Sequence, residues 1–176
     1  MKKTILTFLC GMLLIFAACG GLGGSGIQLK YNSTETTMEP KSAFVAPDSS
    51  GTHSIQITNY PVEMGESYNF SKISAKEDGQ YRLDIRIMKQ KSNDNQPIVA
   101  GEYKPQPSDQ EPKDKFIRAT IFRFENGKEV PVELDYKTLQ GVVKINSVEG
   151  ETVKGSIDAT DGKNAIKGDF TAKTLK

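Results

Sequence analysis

The chain has 176 residues, a formal net charge of +1 and hydrophobic residues at 36% of its positions. This length suits one domain of ordinary size. The balance of 23 basic against 22 acidic residues excludes a strongly basic surface, so nucleic-acid binding has no electrostatic basis. One histidine and two cysteines argue against most zinc and copper centres, and we expect neither a metal nor a cofactor.

The first 18 residues are typical of a secretory signal peptide. Lys2 and Lys3 precede the uncharged run Thr4–Ala18, TILTFLCGMLLIFAA. At about 1.5 Å per residue this run reaches roughly 22 Å, which is short for a bilayer core of about 30 Å. The basic start, the short apolar stretch and the small residues at its end predict that residues 1–18 are removed. A buried N-terminal helix is the alternative.

The sequence Phe16-Ala17-Ala18-Cys19 resembles the lipobox of bacterial lipoproteins. The resemblance implies cleavage between Ala18 and Cys19, a diacylglycerol thioether on the Cys19 sulfur and acylation of the new amino group. Phe16 departs from the family, in which leucine is usual at that position. Because Cys10 leaves with the signal, Cys19 is the one cysteine of the predicted mature chain, and lipidation gives its thiol a use. An ordinary cysteine after a common cleavage site is the alternative.

These features predict a protein of the bacterial cell envelope that a lipid holds to the membrane. Three acyl chains would hold it firmly, because each buried CH₂ contributes about 0.8 kcal/mol. Gly20 stands where some bacterial lipoproteins carry an aspartate that retains them in the inner membrane, so the resemblance favours the outer membrane. Residues 19–26 combine Cys19 with five glycines, and we expect them to form a flexible tether.

Residues 27–176 are expected to form a single β-rich domain. The stretch Ser33–Ser54 is polar and rich in turn residues, so residues 27–54 are expected to be partly loop, with one short strand at Ala43–Ala46. In residues 80–87, QYRLDIRI, apolar side chains alternate with charged ones. This alternation predicts a half-buried antiparallel strand.

A candidate binding face lies in the run KFIRATIFRF, residues 115–124, which is apolar on both faces. One face is expected to carry Phe116, Arg118, Phe122 and Phe124. If that face is open, it offers an apolar patch with an arginine beside it, which suits a ligand or a partner. A central strand that is covered on both sides is the alternative.

A hairpin is predicted to follow this run. Asn126-Gly127 is a strong turn signal, so we expect Phe116–Glu125 to pair with Glu129–Tyr136. Pro131 cannot donate a backbone hydrogen bond, and it favours an edge position for the second strand.

Three strands of similar length are predicted near the C-terminus, in the runs GVVKINSV, TVKGSIDA and AIKGDFTA. Gly155 and Gly168 lie on their apolar face, and we expect a bulky group to approach them, most simply an aromatic ring from a facing sheet. This meander resembles the C-terminal strands of small uncharacterised β-sandwich lipoproteins. Eight or nine strands in all predict an antiparallel β-sandwich, or alternatively a flattened barrel.

No residue pattern predicts catalysis or metal binding. His53 is the only imidazole, and we expect it to be a structural or exposed residue. The carboxylates near the last turn, such as Asp161, do not follow calcium-loop spacing and are expected to bond their own backbone. We therefore expect a non-catalytic binding or assembly module with an unidentified envelope protein as partner. The alternatives are an apolar-ligand carrier with a cavity lined by Phe122 and Phe170, and an envelope hydrolase that uses His53 or a carboxylate pair.

Overall fold

The structure is a computed structural model that describes residues 26–48, 51–65, 67, 69–89, 97–106 and 114–175. It is nearly all β, with eleven strands and one four-residue helix among those residues, which confirms the predicted all-β class. The strand number exceeds the eight or nine that the sequence predicted. The predicted signal peptide, Cys19 and all of the tether except Gly26 lie outside the described residues.

The strands are β1 (Ile27–Tyr31), β2 (Thr34–Met38), β3 (Ser42–Pro47), β4 (Thr52–Thr58), β5 (Tyr81–Met88), β6 (Gly101–Tyr103), β7 (Lys115–Glu125), β8 (Lys128–Glu133), β9 (Gln140–Glu149), β10 (Thr152–Thr160) and β11 (Ala165–Thr174), and the helix is α1 (Phe70–Ile73).

One sheet holds all of these strands. Its order is β6-β9-β10-β11-β3-β4-β5-β7-β8, with β1 paired to β11 and β2 paired to β1. Neighbouring strands are antiparallel, except that β11 and β3 run parallel where Lys173 lies beside Phe44. The sheet curls into a half-barrel, and a bridge between Lys104 and Lys115 links the residue after β6 to the start of β7. This curl encloses the core and leaves one face of β4, β5, β7 and β8 turned away from it.

Alternating side chains fill the inside of the curl. In β5, Leu83, Ile85 and Ile87 are each fully buried in the main apolar cluster, as the alternation predicted. Ile157 of β10 and Phe170 of β11 belong to the same cluster. The core is therefore built by the period of two that strands impose on side-chain direction.

Residues 27–54 contain more strand than the sequence predicted. They hold β1, β2, β3 and the start of β4, and strand β3 extends beyond the predicted Ala43–Ala46. Asn32 and Ser33 both have positive φ, 46° and 66°, which is typical of a two-residue hairpin turn. The Tyr31 and Tyr81 hydroxyl oxygens are 2.8 Å apart, so this hairpin closes over the core beside β5.

The predicted hairpin after residue 115 is present as β7 and β8. Asn126 and Gly127 have φ of 52° and 78° at its turn. Strand β8 ends at Glu133 rather than at Tyr136, because the chain then turns. The prediction of an edge position is confirmed, since within the described ranges β8 pairs with β7 and with no other strand.

Gly155 and Gly168 both accept close neighbours, as predicted, but the neighbours differ from the expected aromatic of a facing sheet. A Cβ at Gly155 would lie 2.6 Å from Cζ of Phe170, its partner on the adjacent strand, and 2.5 Å from the Lys144 carbonyl oxygen. A Cβ at Gly168 would lie 2.9 Å from Cα of Ile27. The first glycine therefore makes room for a ring on its own sheet, and the second for the backbone of β1.

Candidate functional site

A β-bulge divides the four residues of the predicted binding face. The pairing of β5 with β7 shifts between Arg86 and Ile87, so Arg86 lies opposite Arg118 and Ile87 lies opposite Phe116. Ile117 is the extra residue and is 37% exposed. Phe116 consequently points into the core and is only 2% exposed. Its assignment to the binding face was wrong, because one inserted residue reverses the side-chain alternation.

The other three predicted residues share the face of the sheet that points away from the core. We name Arg86, Arg118, Phe122 and Phe124 the outer arginine face. The two arginine side chains are 37% and 35% exposed, and both phenylalanines are partly exposed. Of the two alternatives, the covered strand is correct at Thr120, which is 4% exposed on this face, whereas the face is half-open at Arg118, Phe122 and Phe124.

A buried carboxylate lies between the two arginines. Asp84 is 4% exposed and accepts a hydrogen bond from Ser54 Oγ at 2.9 Å. Its Oδ2 lies 3.7 Å from Arg86 Nε and 3.6 Å from Arg118 Nη2. Arg86 also reaches Asp48 at 3.1 Å. Both guanidinium groups therefore lie within ion-pair distance of one buried carboxylate.

A second buried charge lies next to them. Arg82 is fully buried, and its Nε and Nη2 donate to the two carboxylate oxygens of Glu129 at 3.2 Å and 3.0 Å. Its Nη1 donates to Gln56 at 3.2 Å. The guanidinium carbon lies 3.7 Å from the centre of the Phe122 ring. This bidentate pairing and stacking offset the cost of burying a charge, and they hold Phe122 in place.

Part of the outward side is covered by the segment between β4 and β5. Ile73 of this segment packs with Phe44 and Leu175 in a small second cluster. The backbone N–H of Ala75 donates to Glu129 Oε1 at 2.8 Å. The cover therefore lies over β3 and reaches the Arg82–Glu129 pair, whereas the outer arginine face keeps solvent access.

The sequence did not single out Arg82, Asp84 or Glu129 as buried charges. Alternation placed Arg82 and Asp84 on the polar side of β5, which is correct, but it could not show that this side is covered. A signal was present in the chain, since Arg82 and Asp84 lie on one strand face that also holds Arg86. Three alternating charges of mixed sign indicate ion pairing, but not with which partner.

His53 is a buried residue, and Asp161 has a structural role. His53 is 5% exposed at the start of β4. The Asp161 carboxylate accepts from the backbone N–H groups of Lys163, Asn164 and Asp135 and from the Asn164 side chain. Burial raises the pKa of Asp161, but these donors outweigh it and lower the pKa to about 2. Its expected role in bonding the turn backbone is confirmed. Among the described residues, no group of three or more His, Cys, Asp or Glu side chains could hold a metal ion.

The prediction that Phe122 and Phe170 line the cavity of an apolar-ligand carrier is wrong. Phe170 packs in the main core, whereas Phe122 lies on the opposite face of the sheet, over Arg82. The two rings cannot line one cavity. The surface does carry a groove of about 610 Å³ along β1, β2, β10 and β11, in which Lys30 pairs with Glu35 and Lys167 pairs with Asp158.

The chain matches no protein-family model, and neither a curated protein nor a solved structure matches it. In the part of the chain that the structure describes, no helix is both long and apolar enough to cross a membrane.

Proposed function

We propose that the protein is a lipid-anchored protein of the bacterial envelope whose β-domain is a non-catalytic binding or assembly module, and that it binds an envelope protein through the outer arginine face. The observation that carries the proposal is the sharing of one buried carboxylate, Asp84, by two arginines that are each more than one third exposed.

This arrangement favours recognition because the binding groups are already ordered. Arg86 and Arg118 each form an ion pair with Asp84, and the Phe122 ring stacks against the buried Arg82. A partner that contacts them has less side-chain entropy to remove than it would with free arginines. Arginine and aromatic residues are also the residue types that contribute most at protein interfaces.

The anchor is supported by the sequence before the domain. The lipobox-like residues end at Cys19, and the glycine-rich tether leads to Gly26 and then directly into β1. A domain attached in this way stays near the membrane while its outer arginine face can turn toward a partner. Outer-membrane residence follows from the same resemblance, because Gly20 replaces the retaining aspartate.

Fatty-acid labelling in cells tests the anchor. The full-length protein is expected to incorporate labelled palmitate, and Cys19→Ala is expected to abolish the label because the acceptor sulfur is lost. Cys10→Ala is the matched control, since Cys10 belongs to the segment that is removed, and it is expected to keep the label. Continued labelling of Cys19→Ala would show that Cys19 is not the attachment point.

Affinity capture tests the binding face. The full-length protein, crosslinked in cells and purified, is expected to recover a specific envelope protein, and Arg118→Gln is expected to reduce that recovery severalfold. Lys154→Gln is the matched control, because Lys154 is an exposed cation on β10, away from the face. Equal recovery by both variants would refute this role for the outer arginine face.

A further inference from the structure

In the described part of the chain, β2, β6 and β8 each pair with one neighbouring strand only. Strand β6 has three residues and is followed directly by the bridge from Lys104 to Lys115, which leaves β2 and β8 as the two longer edges. An unpaired strand edge presents backbone N–H and C=O groups that can pair with another strand, and proteins commonly protect such edges. The edges of β2 and β8 are protected to different degrees, and the difference points to an interaction surface.

The edge of β8 is protected by its sequence. Leu134 N donates to Ala119 O at 3.0 Å, which makes Thr120 and Glu133 a pair without mutual hydrogen bonds. By alternation, the backbone groups of Glu129, Pro131 and Glu133 point outward. Pro131 removes the central donor, and the glutamates flank it with charge. A further strand cannot complete a regular ladder on this edge.

The edge of β2 carries no proline, and the one charged residue of this strand, Glu35, is paired with Lys30 of β1. Its two-residue turn makes Tyr31 and Thr34 a hydrogen-bonded pair, so the backbone groups of Glu35 and Thr37 point outward by alternation. Both residues are exposed. Strand β2, TETTM, contains neither proline nor lysine, and its pairing with β1 shows no register shift. Its threonines also favour the extended conformation.

A second copy of β2 fits this edge in one register. Two copies of β2 can pair antiparallel about a two-fold axis in three registers that place their outward-pointing backbone groups opposite each other. Pairing Glu35 with Glu35 of the second copy opposes like charges directly, and pairing Thr37 with Thr37 sets Glu35 opposite Glu39. Pairing Glu35 with Thr37 avoids both conflicts and sets Thr36 opposite Thr36, a favourable cross-strand combination.

We infer that β2 pairs antiparallel with β2 of a second copy of this chain, with Thr36 on the two-fold axis and four backbone hydrogen bonds formed by Glu35 and Thr37 of the two copies. The β1–β2 hairpins of both protomers then form one continuous four-stranded layer. The Lys30–Glu35 ion pair, 3.4 Å long within each protomer, keeps each glutamate next to a cation at this interface.

Disulfide trapping tests the register. Opposed residues in a pair without mutual hydrogen bonds have Cα atoms about 4.5 Å apart, which a disulfide can span. We expect full-length Thr36→Cys to form a disulfide-linked dimer under mild oxidation. Thr34→Cys is the matched control, because the two copies of residue 34 would be offset by roughly 13 Å along the strands. Both variants keep the native cysteines, so the difference between them reports on position 36.

Charge variants at Thr37 give a second test that needs no crosslink. Thr37→Glu opposes Glu35 twice in the dimer, and we expect it to weaken dimerisation roughly tenfold, while Thr37→Lys strengthens it. Combining Thr37→Glu with Glu35→Lys is expected to restore the dimer. Sedimentation of the full-length protein in detergent measures the fraction of dimer.

The inference is overturned if Thr36→Cys and Thr34→Cys crosslink equally, if Thr36→Cys is trapped with a different polypeptide instead of itself, or if the two Thr37 variants change the dimer fraction in the same direction. Thermal unfolding of each variant shows that it folds. If a cysteine variant fails to fold, the comparison of Thr37→Glu with Thr37→Lys still decides the question.

Discussion

The inner and outer faces of β5 use alternate residues of one strand, yet they are held in different ways. On the inner face, Leu83, Ile85 and Ile87 are fully buried among apolar side chains. On the outer face, Arg82 is equally buried but depends on a carboxylate and an amide for its hydrogen bonds. The stability of the inner face therefore depends on how well side-chain volume fills the core. The stability of the outer face depends on the hydrogen-bond acceptors of Arg82.

The largest expected effect comes from removing the carboxylate that pairs with Arg82 on the outer face. Glu129→Ala leaves the fully buried Arg82 without its carboxylate and Ala75 N without its acceptor, and we expect the free energy of unfolding to fall by about 3–5 kcal/mol. Glu133→Ala is the matched control on the same strand. Its distance to Arg118 is 4.0 Å at an exposed position, so we expect a change within about 0.5 kcal/mol. Urea unfolding of both variants measures the difference, and similar losses would contradict the account.

The next largest loss of stability is expected from a cavity on the inner face. Ile85→Ala is expected to lower the free energy of unfolding by about 2–5 kcal/mol, because it removes buried methyl and methylene groups from a filled core. Ile117→Ala makes the same chemical change at the exposed bulge of β7, and we expect it to cost less than about 1 kcal/mol. Denaturant unfolding again gives both values. A loss for Ile117→Ala as large as that for Ile85→Ala would mean that the bulge is packed.

The inner face could largely be predicted from the sequence because its pattern is local. Alternation in β5 gives the buried side directly, and Asn126-Gly127 gives the hairpin turn. Pro131 indicates the edge strand equally locally. Its missing backbone N–H is tolerated where no neighbouring strand needs that donor. Each of these signals depends on a few neighbouring residues.

The outer face could be predicted only in part because its geometry depends on distant residues. Nothing in KFIRATIFRF marks Ile117 as an inserted residue, and the bulge appears only when β7 is placed beside β5. The burial of Arg82 depends on Glu129 and on the cover around Ala75, which are 47 and 7 positions away in the chain. Residues 33–54 were harder for another reason: polar threonine-rich strands such as β2 lack the apolar alternation that identifies a strand.

Overpacking at Gly155 tests how tightly the inner face is filled. Gly155→Ala is expected to cost about 1–3 kcal/mol, since the new Cβ would meet the Lys144 carbonyl and the Phe170 ring. Gly65→Ala is the matched control, because a Cβ there meets nothing within 4 Å. Thermal unfolding of the two variants compares them. A stabilised Gly155→Ala would show that Phe170 can move away freely.

A carboxylate that belongs to neither face gives a smaller, pH-dependent effect. The folded pKa of Asp161 is about 2, below its ordinary value of 3.8, so its contribution to stability is present above about pH 4 and is lost as the pH falls toward 2. Asp161→Asn is expected to cost about 1 kcal/mol at pH 7 and progressively less in acid. Urea unfolding at several pH values measures this change, and a constant difference between pH 7 and pH 2 would contradict the assignment.

The smallest expected effect on stability belongs to the exposed part of the outer face. Arg118→Gln removes a side chain that is 35% exposed and 3.6 Å from Asp84, and we expect the free energy of unfolding to change by less than about 1 kcal/mol. Urea unfolding of the wild type and this variant measures the change. A loss as large as that of Glu129→Ala would make Arg118 a structural residue rather than a contact for a partner.

Site-specific photocrosslinking in cells tests most directly whether this face binds a partner. A photoreactive phenylalanine analogue replaces Phe124, which is partly exposed on the outer arginine face, in one full-length variant, and Lys154, on the exposed side of β10, in another. The account predicts a discrete crosslinked envelope protein at position 124 and none at position 154. Crosslinked species that are the same at both positions, or that occur only at position 154, would contradict the assignment of the outer arginine face as the binding surface.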